Sequence, residues 1–176
     1  MKKALIVVDY QKDFVIGSLG FPKAEALDET IAAKIQEYRS SGDDIIVTLD
    51  THTEDYLETQ EGKSLPVIHC VRGTAGWDLF GETAKQIRET DRKFEKVTFG
   101  SLALAEHLKS QGYEQVELVG VVSNICVISN AVLAKAALPE SLIIVDAACT
   151  ASNDDAMNEK ALDVMEGIQI KVINRR

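Results

Sequence analysis

No run of apolar residues in this sequence approaches the ~20 that a helix needs to cross a bilayer. The N-terminal MKKALIVVDY meets an aspartate after five apolar residues, so neither a membrane anchor nor a secretory leader is expected. Cysteine is scarce and odd in number, three in 176 residues. That predicts reduced thiols in a cytoplasmic setting, not a disulfide framework. Basic clusters are missing as well: 19 Lys and Arg are scattered against 28 Asp and Glu, for a formal net charge of -9. Neither nucleic acid nor a membrane surface is therefore expected as a partner. Low-complexity tracts are absent, and 45% hydrophobic with 27% charged residues is an ordinary globular balance. A single domain over residues 1–176 is expected, large enough to bury about two thirds of its unfolded surface.

What the chain does contain is alternation. ALIVV (4–8), DIIVTL (44–49), QVELVGVV (115–122), SLIIVDA (141–147) and IQIKVIN (168–174) are short and rich in Ile and Val, as strands buried on both faces should be. KFEKVTF (93–99) is a weaker sixth strand. Between them, helical spacing links Leu27, Ile31, Ile35 and Tyr38, then Leu102, Ala105 and Leu108, then Val127, Ala131, Leu133 and Ala134, then Ala156, Ala161, Val164 and Met165. SSGDD, QGY and LPE read as helix stops and SNDD as a helix start. The pattern predicts an α/β fold: a three-layer α/β/α sandwich, Rossmann-like, around a mostly parallel six-stranded sheet with right-handed crossovers. Residues 51–76 show no clear period and are too long for an ordinary connection, which marks a functional loop.

Open parallel sheets bind ligands beyond the carboxyl ends of their strands. Asp9, Asp50, Lys96 and the Ser123–Cys126 segment all fall on that edge. Cys126 is read into the first turn of a helix, where backbone N–H groups favour a thiolate and the amides from Val122 to Cys126 could serve an oxyanion. Taken alone, a free cysteine in an apolar run is more often a small buried hydrophobe. Asp9, ending a buried strand, is either an acid/base or a turn cap. Lys96 could lower the thiol pKa and hold Asp9 charged, or be a solvated surface lysine. In the long loop, Asp50, His52, Glu54, Asp55, Glu58, Glu61 and His69 mix imidazole and carboxylate, a set suited to Zn, Mn or Fe. A polar loop with incidental histidines is the plain alternative. His107 is read as a surface or packing residue, and Cys70 and Cys149 as packing cysteines.

With Asp9, Lys96 and Cys126 in that order on a β/α pattern, the sequence resembles the isochorismatase-like cysteine hydrolases, and within them the nicotinamidases. ALIVVDYQKDF is similar to their first strand with its base, GVVSNICV to their nucleophile turn, and DTH with HCVRGTAGW to their metal loop. The resemblance implies catalytic Asp9, Lys96 and Cys126, with Asp9 as base, Lys96 as orienter and Cys126 as a thioester-forming nucleophile. It also implies a cis Val121–Val122 bond that turns the Val122 and Cys126 N–H groups toward the oxyanion. Metal ligands would be Asp50, His52 and His69, with Glu61 the best placed acid and Glu58 or Glu54 the alternatives. The cofactor would be a divalent ion, zinc first and manganese or iron next, holding the ring nitrogen of nicotinamide. Phe14, Phe99 and Val122 would line the ring pocket. Departures are Asn124, where family members often carry Asp, and Phe99, where an aromatic hydroxyl is common. The implied activity is hydrolysis of nicotinamide, with pyrazinamide as an analogue, in cytoplasmic NAD salvage; the partner is a small amide, and the class allows a homo-oligomer. Two other readings stand beside it: a hydrolase of another small amide or N-carbamoyl compound, and a catalytically silent assembly domain.

Overall fold

The computed structural model describes residues 1–175. Six strands form one sheet in which every pairing is parallel: β1 (Lys3–Val8), β2 (Asp44–Asp50), β3 (Arg92–Lys96), β4 (Gln115–Val121), β5 (Leu142–Ala151) and β6 (Lys171–Ile173). The spatial order is β3-β2-β1-β4-β5-β6. The chain therefore builds outward from β1 in one direction, returns, and builds outward from β4 in the other. The gap beyond the ends of β1 and β4 is the switch point, where such sheets hold ligands.

Eight α-helices accompany the sheet among the described residues: α1 (Lys12–Val15), α2 (Pro22–Glu25), α3 (Asp28–Ser40), α4 (Gln60–Ser64), α5 (Gly81–Gln86), α6 (Leu102–Gln111), α7 (Ile128–Ala137) and α8 (Asp155–Gly167). β1 shows why its sequence is apolar throughout. Ala4, Ile6 and Val8 enter one core with Leu104, Leu108, Val127, Ala131 and Met165 from the α6, α7 and α8 side. Leu5 and Val7 enter the other with Ile31, Ile35 and Tyr38 of α3. A strand covered on both faces has no position at which a polar side chain could reach water.

Several boundaries differ from the sequence reading. β5 runs four residues past the expected end, and it bulges: Leu118 faces Val145 while Gly120 faces Thr150. β6 is confined to Lys171–Ile173 and β3 ends at Lys96, so Val97 to Phe99 form a loop. Leu102 and Val164 are more than half exposed and Ala156 is also exposed; the buried rows are Leu104 with Leu108, and Ala161, Leu162 with Met165. The loop expected over 51–76 contains a single-turn helix, Tyr56–Glu58, followed by α4. Too short to show a period, both were invisible to a pattern search. Gly120 is required where it stands: at φ 109° it lies so close to β1 that a Cβ would come 2.1 Å from the Val8 carbonyl oxygen.

Candidate active site

β1 ends in a sharp turn. Asp9 adopts φ 47°, a left-handed conformation that aspartate tolerates better than most residues, and its N–H donates to the Thr48 carbonyl of β2 at 3.2 Å. Thr48 also donates its hydroxyl to Asp9 Oδ1 at 2.6 Å. With Oδ1 occupied, Oδ2 is turned along the sheet edge, 2.6 Å from the Lys96 ammonium at the end of β3. At that distance the contact is a close ion pair between two buried side chains. Lys96 Nζ donates to the Thr98 carbonyl at 2.9 Å and to Cys126 Sγ at 3.7 Å, and lies 3.4 Å from Asp50 Oδ1. The structure thus brings Asp9, Lys96, Cys126 and Asp50 together from four separate strand ends.

Cys126 does not sit in the first turn of an α-helix as expected. Ser123–Val127 form one π turn between β4 and α7, and the Val121–Val122 peptide is cis. Ser123 anchors this turn by donating to Asn158 of α8 at 2.6 Å. Nor is a resting thiolate favoured. Burial, and then the Asp9 charge, push the Cys126 thiol well above its ordinary value; Lys96 pulls the other way and is outweighed. Burial likewise raises Asp9 against the pull of Lys96. Lys96 itself is raised: burial disfavours its charge, but Asp9, Cys126 and Asp50 more than compensate. The lysine is a fixed cation between a buried acid and a buried thiol.

The long loop supplies the second group. His52 lies two residues beyond β2, and its N–H donates to the Cys70 carbonyl while its own carbonyl accepts from Arg72, both at 2.9 Å. This short parallel pairing sets His69 against His52, with ring centroids 4.8 Å apart. Asp50 Oδ2 lies 3.0 Å from His52 Nε2 and 3.4 Å from His69 Nε2; Glu61 Oε1 lies 3.7 Å from each. Glu61 is presented by α4, whose N-cap Thr59 accepts from the Gly62 N–H at 3.0 Å. Of the three acids considered, Glu61 joins the group, and Glu54 and Glu58 do not.

One ligand atom from each of Asp50, His52, Glu61 and His69 lies within 4.8 Å of the others. These residues fit a divalent cation on their own chemistry. The His69 Nδ1–H is directed to the Val67 carbonyl at 2.7 Å, which fixes the tautomer and leaves Nε2 for a ligand. Burial and the Asp50 charge raise the Glu61 carboxyl, a like-charge crowding that a cation would relieve. Burial also raises the Asp50 carboxyl, but His52, His69 and Lys96 outweigh it and hold it well below the usual range.

Both groups open into one cavity of about 180 Å³, lined by Cys126, Asp50, Glu61 and His69 together with Phe14, Leu19, Phe21, Val122 and Phe99. Sequence reasoning did not single out Gln11 or Thr48. Gln11 is fully buried; its side chain accepts from the Asp50 N–H at 2.8 Å and donates to the Asp50 and Trp77 carbonyls, both at 2.9 Å. It thereby prolongs strand pairing beyond β1 and fixes Asp50. Thr48 could have been noticed as the polar break in DIIVTL. His107 packs between Phe94 and Tyr113, and Cys70 and Cys149 are buried.

Residues 3–176 match the family model described as Isochorismatase domain. A nicotinamidase of Saccharomyces cerevisiae is 26% identical, across 98% of this chain and 100% of its own. A pyrazinamidase/nicotinamidase from Streptococcus mutans, solved as a crystal structure, matches with TM-score 0.87 at 29% identity over 98% of this chain and 100% of that one. A pyrazinamidase of Pyrococcus horikoshii, solved in complex with zinc, shares the fold with TM-score 0.87 at 24% identity, over 99% of this chain and 100% of that one.

Proposed function

The chain belongs to the isochorismatase family, and from that premise we propose that it is a cysteine amidohydrolase converting nicotinamide to nicotinate and ammonia. One observation carries the reading: Cys126, backed by its acid and lysine, and Asp50, Glu61 and His69 of the two-histidine, two-carboxylate group line the same small apolar cavity. A reaction that needs a nucleophile at one end of a flat ring and a Lewis-acid anchor at the other fits that layout. Asp50, His52, Glu61 and His69 would hold the divalent cation, zinc in our reading, and the bound ion would supply a Lewis-acid contact for the ring nitrogen. Phe14, Phe99 and Val122 would bracket the ring and place its carboxamide over Cys126.

Asp9, whose carboxyl burial raises above its ordinary value, would serve as the base for the thiol. In this mechanism Asp9 takes the Cys126 proton as Sγ attacks the carboxamide carbon. The N–H groups of Val122 and Cys126 receive the developing oxyanion. Asp9 then returns the proton to the amide nitrogen, the C–N bond breaks, and ammonia leaves a thioester. Water, losing its proton to Asp9, hydrolyses the thioester and restores the thiol. Lys96 stays protonated throughout and keeps the Asp9 carboxylate in place. Nicotinate would then enter pyridine nucleotide salvage in the cytoplasm.

Purified protein is expected to release ammonia from nicotinamide and from pyrazinamide in a panel that also contains N-carbamoyl acids. Ammonia from the N-carbamoyl acids alone would overturn the substrate assignment.

A further inference from the structure

The loop from Val97 to Ser101 carries Phe99, which faces the cavity, and it joins Lys96 to α6. Its backbone is poorly tied. The Lys96 ammonium holds the Thr98 carbonyl. Apart from the Ser101 carbonyl, which accepts from the Ala105 N–H of α6 at 3.2 Å, the remaining ties among the described residues come from one side chain: Asn130 Nδ2 donates to the Phe99 carbonyl at 3.1 Å, and Asn130 Oδ1 accepts from the Ser101 N–H at 3.0 Å. The same Nδ2 donates to the Cys126 carbonyl at 2.8 Å. Asn130 is 1% exposed, and both its donor and its acceptor functions are spent on these two segments. Gly100, between the two loop contacts, lies so flat on α7 that a Cβ would come 2.7 Å from the Leu133 side chain. An asparagine is needed here, since a hydroxyl in its place could reach back to the preceding turn but could not also span a carbonyl and an N–H two residues apart.

We propose that Asn130 is a positioning residue that fixes the Phe99 wall of the ring pocket to the Cys126 turn, so that ring and sulfur keep one registration. The inference rests on the reading of Cys126 as nucleophile and Phe99 as ring wall. It makes no use of the metal group, which other elements build. Asn130 touches neither substrate nor reacting atoms; its effect should therefore appear in ring placement before it appears in the chemistry of the thiol.

The test compares wild type with Asn130→Ala and with Asn130→Asp, which is isosteric and keeps the acceptor for Ser101 but turns an oxygen toward two carbonyls. Two readouts are taken on folded protein: nicotinamide kinetics, and Cys126 alkylation by 3-(bromoacetyl)pyridine relative to iodoacetamide. We expect KM to rise about tenfold with kcat within about threefold of wild type, and the pyridyl-to-iodoacetamide rate ratio to fall about tenfold. An unchanged ratio and KM in either folded variant would overturn the proposal. So would KM, kcat and both alkylation rates changing only with the folded fraction. Should wild type release no ammonia, the activity reading fails, while the alkylation ratio still decides the role of Asn130.

Discussion

The molecule contains two buried clusters built from the same residue types. At the sheet edge are Asp9, Lys96 and Cys126; under α3 are Asp146, Lys34 and Cys149, joined by Glu117. Lys34 Nζ lies 2.7 Å from Asp146 Oδ2 and 2.8 Å from Glu117 Oε1, as close as Lys96 approaches Asp9. Cys149 Sγ lies 3.6 Å from Asp146 Oδ2, as near as Cys126 lies to Lys96. The clusters differ in what is left over. Tyr38 donates to Glu117 Oε2 at 2.6 Å, and Asp146 Oδ1 accepts from the Ala148 N–H and from Asn174. Every carboxylate oxygen there is occupied, and Cys149 is fully buried in the core. At the edge, Asp9 Oδ2 lies against the Lys96 ammonium, and Cys126 lines a cavity. A lysine held between carboxylates beside a thiol therefore does not mark a candidate site by itself; the same set with its thiol on the wall of a cavity does.

The sharpest way to break this comparison is to remove each thiol. Cys126→Ala is expected to lower ammonia release from nicotinamide by on the order of 10⁴-fold or more, whereas Cys149→Ala should stay within about twofold. Equal losses in the two folded variants would make the clusters equivalent. Asp9→Asn comes next, with kcat down by about 10²- to 10⁴-fold for loss of the base. Residual activity that stays near wild type would transfer the proton-accepting role elsewhere. The metal group separates the clusters further. Replacing both His52 and His69 with Ala should take bound divalent metal from about one ion per chain to none by elemental analysis. Metal retained by that variant would detach the histidines from the site.

In the second cluster the expected loss is of stability. Asp146→Ala leaves the partly buried Lys34 beside one carboxylate where it had two, at a cost of about 1–3 kcal/mol, read as a fall in the urea midpoint. A midpoint within error of wild type would mean that the charge is hydrated in the folded protein.

How much of this was legible in the sequence follows from the same contrast. The strands were legible because β1, β2 and β4 are covered on both faces, and continuous Ile and Val runs leave no other reading. Asp9 and Cys126 were legible because each interrupts or ends such a run at the edge where ligands bind. Glu61 was legible as the best placed of three acids but not as the one that joins, since what presents it is the single turn of α4 capped by Thr59. The direction of the thiol's pKa was not legible: proximity to a helix start suggested a lowered value, and burial raises it. Glu117 and Asp146 stood inside strand runs, QVELVGVV and SLIIVDA, and could have announced a buried ion pair. Their partner Lys34 lies on α3, some eighty residues earlier than Glu117, and no spacing rule connects them. Asn130 was hidden for the same reason, because its partners Phe99 and Ser101 belong to a loop on the far side of α6.

The smallest effect tests the second cluster through pH. Burial would raise the Asp146 carboxyl, but Lys34, Asn174 and the Ala148 N–H overcome it and hold the carboxyl below its ordinary value of 3.8. A carboxyl lowered on folding contributes stability that is complete above the ordinary value and is lost as pH falls below it, because the unfolded chain takes up the proton first. The urea midpoint of wild type should therefore decline as pH drops from about 5 toward 3, and Asp146→Asn, which has no such proton to bind, should decline less steeply. An acid limb equally steep in both proteins would assign that loss to other carboxylates, with Asp91, held down by Arg39, the next to replace.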